Sequence, residues 1–351
     1  MKNWIARLLG GASEPARAPV GPAACARAPA AVVSTASTAA AVGDTDAAAG
    51  LPFWRWLCDA PPAGPPAHGE TSTAARLVLD ELARLARAPG DAAELVPRVP
   101  DVIPRLLRSL REEGMSGAEL ARQVTQDAVL VAEVIREANG PLYRQAKPVR
   151  TVDAAILVLG QNGLRMLLAR VAFRPVMGAA SGRVARTAAP RLWQHAERCA
   201  RACALLAPRV GADPFEGYLA GLMIDLGLVV ALRLLDRLQG AQPALGRTTE
   251  SPSDPEADAL LVDTLAPGAR ELSARIALHW TLPPPIAAAI LQAGQTGGAI
   301  TPLAQALGEA DHLARLRLLF DHGALAADAS PLAALDAGAA RVFERLAPDP
   351  G

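Results

Sequence analysis

His195, Cys199 and Cys203 are spaced four apart, so on a helix they share one face. An imidazole and two thiols in line could bind a soft metal or carry redox chemistry. The flanking sequence is rich in alanine, however, and small core residues on an apolar helix face account for the same spacing. That core reading is the one adopted. Two thiols one turn apart on a single helix are also poorly placed for a disulfide, whose geometry is restrictive. Tyr143, Arg144, Lys147 and Arg150 form a short basic loop that could meet a phosphate or an acidic partner. A solvated connector explains it more simply. No Gly-rich phosphate loop follows a strand, and nothing resembles a nucleophile elbow.

Composition narrows the remaining classes. The 351 residues are 51% hydrophobic but only 3% aromatic, so a sizeable core must be built mainly from Leu, Val, Ile and Ala. That mixture favours helix. Lys+Arg and Asp+Glu are 35 each, and a net charge of zero supplies no general field for nucleic acid, which is not an expected partner. Cys25, Cys58, Cys199 and Cys203 form no dense disulfide framework, so a cytoplasmic location is expected. No apolar run reaches the ~18–20 residues a membrane span needs, and Lys2 and Arg7 precede no continuous apolar stretch of signal-peptide type.

The elements that would position any site begin late. Residues 1–70 hold 20 Ala and nine Pro with little periodicity, which predicts a disordered tail. Two short islands interrupt it, Met1–Leu9 and Leu51–Cys58. Their aromatic residues either lie against the chain's own globular surface or dock a partner or a membrane interface. In the second case Trp4, Leu8, Phe53, Trp54 and Trp56 would do the docking, with Met1–Leu9 making a weak peripheral membrane contact. From about residue 71 the pattern is helical. Ser116 and Glu119 have capping-box spacing for a helix through Val124, and Asp127 can cap the next, which Asn139-Gly140-Pro141 stops. Helices are expected from Thr151 to Gly160, over 161–171, and from Pro190 to about Ala207 after a linker near 178–188. Asp213-Pro214-Phe215-Glu216 is a second capping box, opening a helix to Asp225 that Gly227 interrupts before Leu228–Leu238. Further helices are expected near 255–264, 268–280, 285–293, 302–320 and 331–346. No alternating strand pattern of useful length appears.

The order of these elements resembles the HDOD domain, a bacterial output domain related to the HD phosphohydrolases. The resemblance rests on Leu95–Pro100 with Ile103, Leu106 and Leu107, on Leu120 to Tyr143, on Ala154–Gly160 with Leu164–Leu168, on Leu192–His195, on Tyr218–Gly227, and on His279–Pro283. It implies an all-α, two-lobed fold: an N-terminal helical lobe over 71–178 and a degenerate HD-type lobe over 189–350. It also implies a metal-ligand pattern, in which His195 stands at the first His, Asp225 at the Asp of the His-Asp pair, and Asp311 at the last Asp. Ile224 stands where that pair has its His, and Leu228 where a Lys commonly follows. A hydrocarbon has no lone pair for a metal. With five His and no His-His pair, the chain also fits the cyclic-dinucleotide-hydrolysing relatives poorly.

The expectation is therefore a non-catalytic regulatory module of bacterial signalling, with no cofactor, which binds a signalling protein or a ligand in the groove between its lobes. The alternative is a divergent metal-dependent phosphohydrolase using His195, Asp225 and Asp311. A third possibility is a purely structural domain held at a membrane by Met1–Leu9.

Overall fold

The computed structural model describes residues 50–60, 73–88, 125, 128–140, 147–178, 183–241, 255–295 and 299–348. Among these residues every regular element is helical. We number them α1 (residues 50–57), α2 (Thr73–Arg87), α3 (Ala128–Ala138), α4 (Val152–Gly178), α5 (Arg183–Leu206), α6 (Pro214–Met223), α7 (Leu226–Ala241), α8 (Pro255–His279), α9 (Pro284–Gln292), α10 (Pro302–Asp321), α11 (Ser330–Ala333) and α12 (Ala337–Arg345). The capping box at 116–119 lies outside the described residues.

Local sequence sets several of these boundaries. Asp213 accepts hydrogen bonds from the amides of Phe215 and Glu216, so the orphan donors of α6 are satisfied and Pro214 loses nothing at the first position. Thr301 caps α10 in the same way, and Asp336 caps α12. Asn139 does more than end α3. Its side chain donates to Ile135 O and Val149 O and accepts from Val149 N, which ties the end of α3 to the entry of α4. Gly160 takes φ 64° and ψ −178°, a conformation open to glycine alone at little cost, and kinks α4 where two separate helices were expected.

Prolines break fewer helices than expected. Pro190 lies inside α5, which starts at Arg183 rather than at the proline, and Pro267 lies inside α8, joining the two helices expected over 255–264 and 268–280. A proline forfeits one backbone hydrogen bond and crowds the preceding turn. Here the neighbours Ala188, Ala189 and Leu192, and Leu265 and Ala269, are buried, so packing outweighs the loss. The last expected helix, 331–346, is instead the short α11 followed by α12.

The buried residues form one contiguous apolar cluster running from α1 to α12. α5 and α6 pack on each other most extensively, and α10 packs on both; α8 packs on α7, α9 and α2. Among the described residues, α2 packs chiefly on α8 and α7. Two features position the later helices. Trp280 is buried against Phe173, and Thr281 takes a positive φ of 56° in the turn that follows. Two helical stretches, Val152–Met177 and Pro214–Leu238, are long and apolar enough by composition to cross a membrane, contrary to the sequence reading. The apolar window of the second is 94% buried within the fold, as a core helix pair would be.

Phe53, Trp54 and Trp56 are buried, as are Leu57 and Cys58. Of the two readings of the Leu51–Cys58 island, contact with the chain's own fold is the one found: the segment is a helix that enters the core. Burying each large apolar side chain contributes about 1.5–3 kcal/mol, which offsets much of the entropy lost in ordering the segment. These three aromatics are therefore not free to dock an external partner in this conformation. Trp4, Leu8 and the rest of Met1–Leu9 lie outside the described residues.

Candidate functional site

The three residues singled out by the family pattern meet in the core. α5 buries His195 completely, on the same face as Cys199 and Cys203. α6 ends at Met223, and Ile224 and Asp225 form the break before α7. That break is fixed from α8: Ser273 Oγ donates to Ile224 O and accepts from Gly227 N. Gly227 permits the approach, since a Cβ there would lie 1.9 Å from Ala269 O. Gly221 likewise lets α6 touch α5, since its Cβ would lie 2.5 Å from the Ala200 backbone. These contacts turn Asp225 toward α5, where its Oδ2 is 2.6 Å from His195 Nδ1. Asp311, on α10, brings Oδ1 to 3.0 Å from His195 Nε2, near enough for an ion pair although not aligned for a well-formed hydrogen bond.

Two arginines complete the arrangement, and the sequence reading missed both. Arg315, one turn beyond Asp311, makes a fork of Nε to Oδ1 and Nη2 to Oδ2, both 3.0 Å. Arg270 on α8 donates to Asp311 Oδ2 at 2.7 Å and to Ala293 O at 2.7 Å. The i, i+4 spacing of Asp311 and Arg315 was visible in the sequence; the approach of Arg270 from another helix was not.

Electrostatics follow from these contacts. Burial alone would favour neutral His195, but the carboxylates of Asp225 and Asp311 outweigh it and raise its pKa to about 9, so the ring is an imidazolium at neutral pH. Burial opposes the charge on Asp311 too. Arg315, Arg270 and His195 overcome it and hold that carboxyl well below the usual range. Burial pushes the Cys199 thiol up, and that of Cys203 to about 12, so neither is a ready nucleophile or thiolate ligand.

This donor set does not fit a metal. Both ring nitrogens of His195 face carboxylates, both oxygens of Asp311 accept from guanidiniums, and position 224 offers only a buried hydrocarbon. A ligand must present a free lone pair at about 2.0–2.2 Å from the ion. Among the described residues, no group of three or more His, Cys, Asp or Glu side chains is arranged to hold one. The centre is instead a closed lattice of three cations, His195, Arg270 and Arg315, around two carboxylates.

Aromatic residues of α1 lie across its edge. The Phe53 ring is 4.8 Å from the His195 ring, and the Arg315 guanidinium lies 5.1 Å and 5.0 Å from the rings of Phe53 and Trp54. One turn along α5, a cavity of about 460 Å³ opens between α4, α5 and the end of α10, walled by Arg170, Glu197, Arg198, Arg201 and His322. Arg170 crosses it, pairing with Glu133 and Glu137 of α3. Of the basic loop, Lys147 and Arg150 are exposed, while Tyr143 and Arg144 lie outside the described residues.

Fold and site together define a helical protein of HD type in which fixed side-chain cations stand around the residual metal-pattern acids. The HDOD domain model matches residues 96–296, more than half of the chain, and the chain belongs to the HDOD family. Two solved structures show the same fold. A candidate metal-dependent phosphohydrolase from Shewanella amazonensis SB2B is 17% identical, with a TM-score of 0.53 over 78% of this chain and 98% of that one. An HDOD domain protein of unknown function from Geobacter sulfurreducens is 23% identical, with a TM-score of 0.52 over 76% and 89%. A candidate signal-transduction protein from Marinobacter aquaeolei VT8 is 20% identical over 82% and 66%, with a TM-score of 0.44. No curated protein matches the chain.

Proposed function

We propose that this chain is a non-catalytic regulatory module of signal transduction that works in the cytoplasm by binding partner proteins. One observation carries the reading: Asp311 is held on both oxygens by Arg270 and Arg315, while His195 lies between Asp311 and Asp225. Hydrolysis of HD type needs a cation that can bind and polarise a phosphoryl oxygen. Guanidiniums locked onto a buried carboxylate have no free coordination position to offer one. What the fold retains is shape and a stable charge pattern, which suit recognition.

The convergence of His195, Asp225 and Asp311 supports the alternative, a divergent metal-dependent phosphohydrolase. The two readings separate on protein purified from cells supplied with manganese and iron. The regulatory reading expects substoichiometric metal by elemental analysis and no turnover of phosphomonoesters or cyclic dinucleotides. Robust turnover that Asp225→Ala abolishes would overturn it.

A further inference from the structure

We infer that the cleft between α5 and α10 is a binding surface for an aromatic helical segment, and that residues 50–59 are its built-in occupant. The inference deepens the regulatory reading, on which it rests, by naming the surface and the chemistry of the partner. The contacts that hold α1 are those of recognition. Arg191 donates through Nη1 to the Trp56 carbonyl and through Nη2 to Asp59 at 2.6 Å, and its guanidinium lies 5.5 Å from the Trp56 ring. The His322 ring also packs on Trp56, with ring centroids 5.0 Å apart. Arg315 spans Phe53 and Trp54, and His195 meets Phe53. Three cationic side chains thus read three aromatic rings, and an arginine fork reads the carbonyl and carboxylate at the end of the segment.

The receiving side is held in part by contacts outside the occupant. Arg191 and His195 come from α5, Arg315 and His322 from α10 and its C-terminal cap, and these two helices pack directly on each other. Arg315 and His195 are held by Asp311 and Asp225. Arg315 and His195 therefore stay in place when the segment leaves, while Arg191, whose hydrogen bonds run to the segment, is freed for an entering chain. A partner that enters it must present the same pattern, a helical Phe-Trp-x-Trp followed by an acidic residue, as Phe53 to Asp59 do here. Such a partner competes with a tethered ligand, so access is set by how often the segment opens.

The test uses the full chain with Phe53→Ala and Trp54→Ala, which weakens the occupant and leaves the cleft whole. The probe is a fluorescein-labelled peptide of residues 50–60 with Cys58 replaced by Ser. We expect saturable binding to the double variant, at least about tenfold weaker binding to the unsubstituted chain because its cleft is occupied, and loss of binding when Arg191→Ala is added. In the unsubstituted chain, amide exchange at residues 50–57 should proceed through a local opening, with lower protection than the centres of α5 and α6. The inference fails if the folded double variant does not bind the peptide, or binds it no better than the unsubstituted chain does. It also fails if the double variant does not fold, or if residues 50–57 exchange only with global unfolding. Hydrolytic turnover by the double variant would remove the regulatory reading while leaving peptide binding intact, so the two outcomes are distinguishable.

Discussion

The charge on His195 predicts a specific loss of stability at alkaline pH. In the folded chain its pKa is about 9, against an ordinary 6.5. A group whose folded pKa is raised stabilises fully below the unfolded value and loses that contribution as pH rises through the folded one. A separation of 2.5 units, from 9 and 6.5, corresponds to on the order of 3 kcal/mol below pH 6, of which about 2 kcal/mol disappears between pH 7 and 8.5. The window stops there because the thiols of Cys199 and Cys203 add a slope of the same sign above pH 9. Their ionisation is suppressed in the folded chain and free in the unfolded one. The perturbation is His195→Gln, which removes the titrating group. Urea unfolding of both proteins across the window gives two profiles, and their difference cancels the groups they share. The difference should shrink by about 2 kcal/mol from pH 7 to 8.5. Parallel profiles would mean that His195 is neutral when folded, and the description of the centre as a lattice of three cations would be wrong.

Two further predictions follow from the same region. Ile224→His restores the imidazole of the family pattern but should not yield stoichiometric manganese or iron by elemental analysis, because Arg270 and Arg315 still occupy Asp311. Gly227→Ala places a Cβ 1.9 Å from the Ala269 carbonyl and should destabilise the fold by about 1–3 kcal/mol or more in urea unfolding, with α7 and α8 forced apart.

The parts of this molecule legible in its sequence are those that local chemistry controls. The cap at Asp213, the kink at Gly160 and the break near Gly227 follow from residue type within one or two turns. The convergence of His195, Asp225 and Asp311 follows from family pattern, because their spacing of tens of residues means nothing without a fold. The prolines misled where tertiary packing overrode propensity, as at Pro190 and Pro267. Arg270 was invisible as a partner of Asp311 because 41 residues separate them. Phe53 and Trp54 stood out as an apolar island in the proline- and alanine-rich stretch, but their partners Arg315 and His195 were not legible because they lie far along the chain.

An ion can be chelated, exchanged or withheld by a starving cell; an arginine cannot. With Arg270 and Arg315 joined covalently to the scaffold they neutralise, the proposed module carries its central counter-charge from the ribosome onward. Its assembly should then be indifferent to trace-element supply.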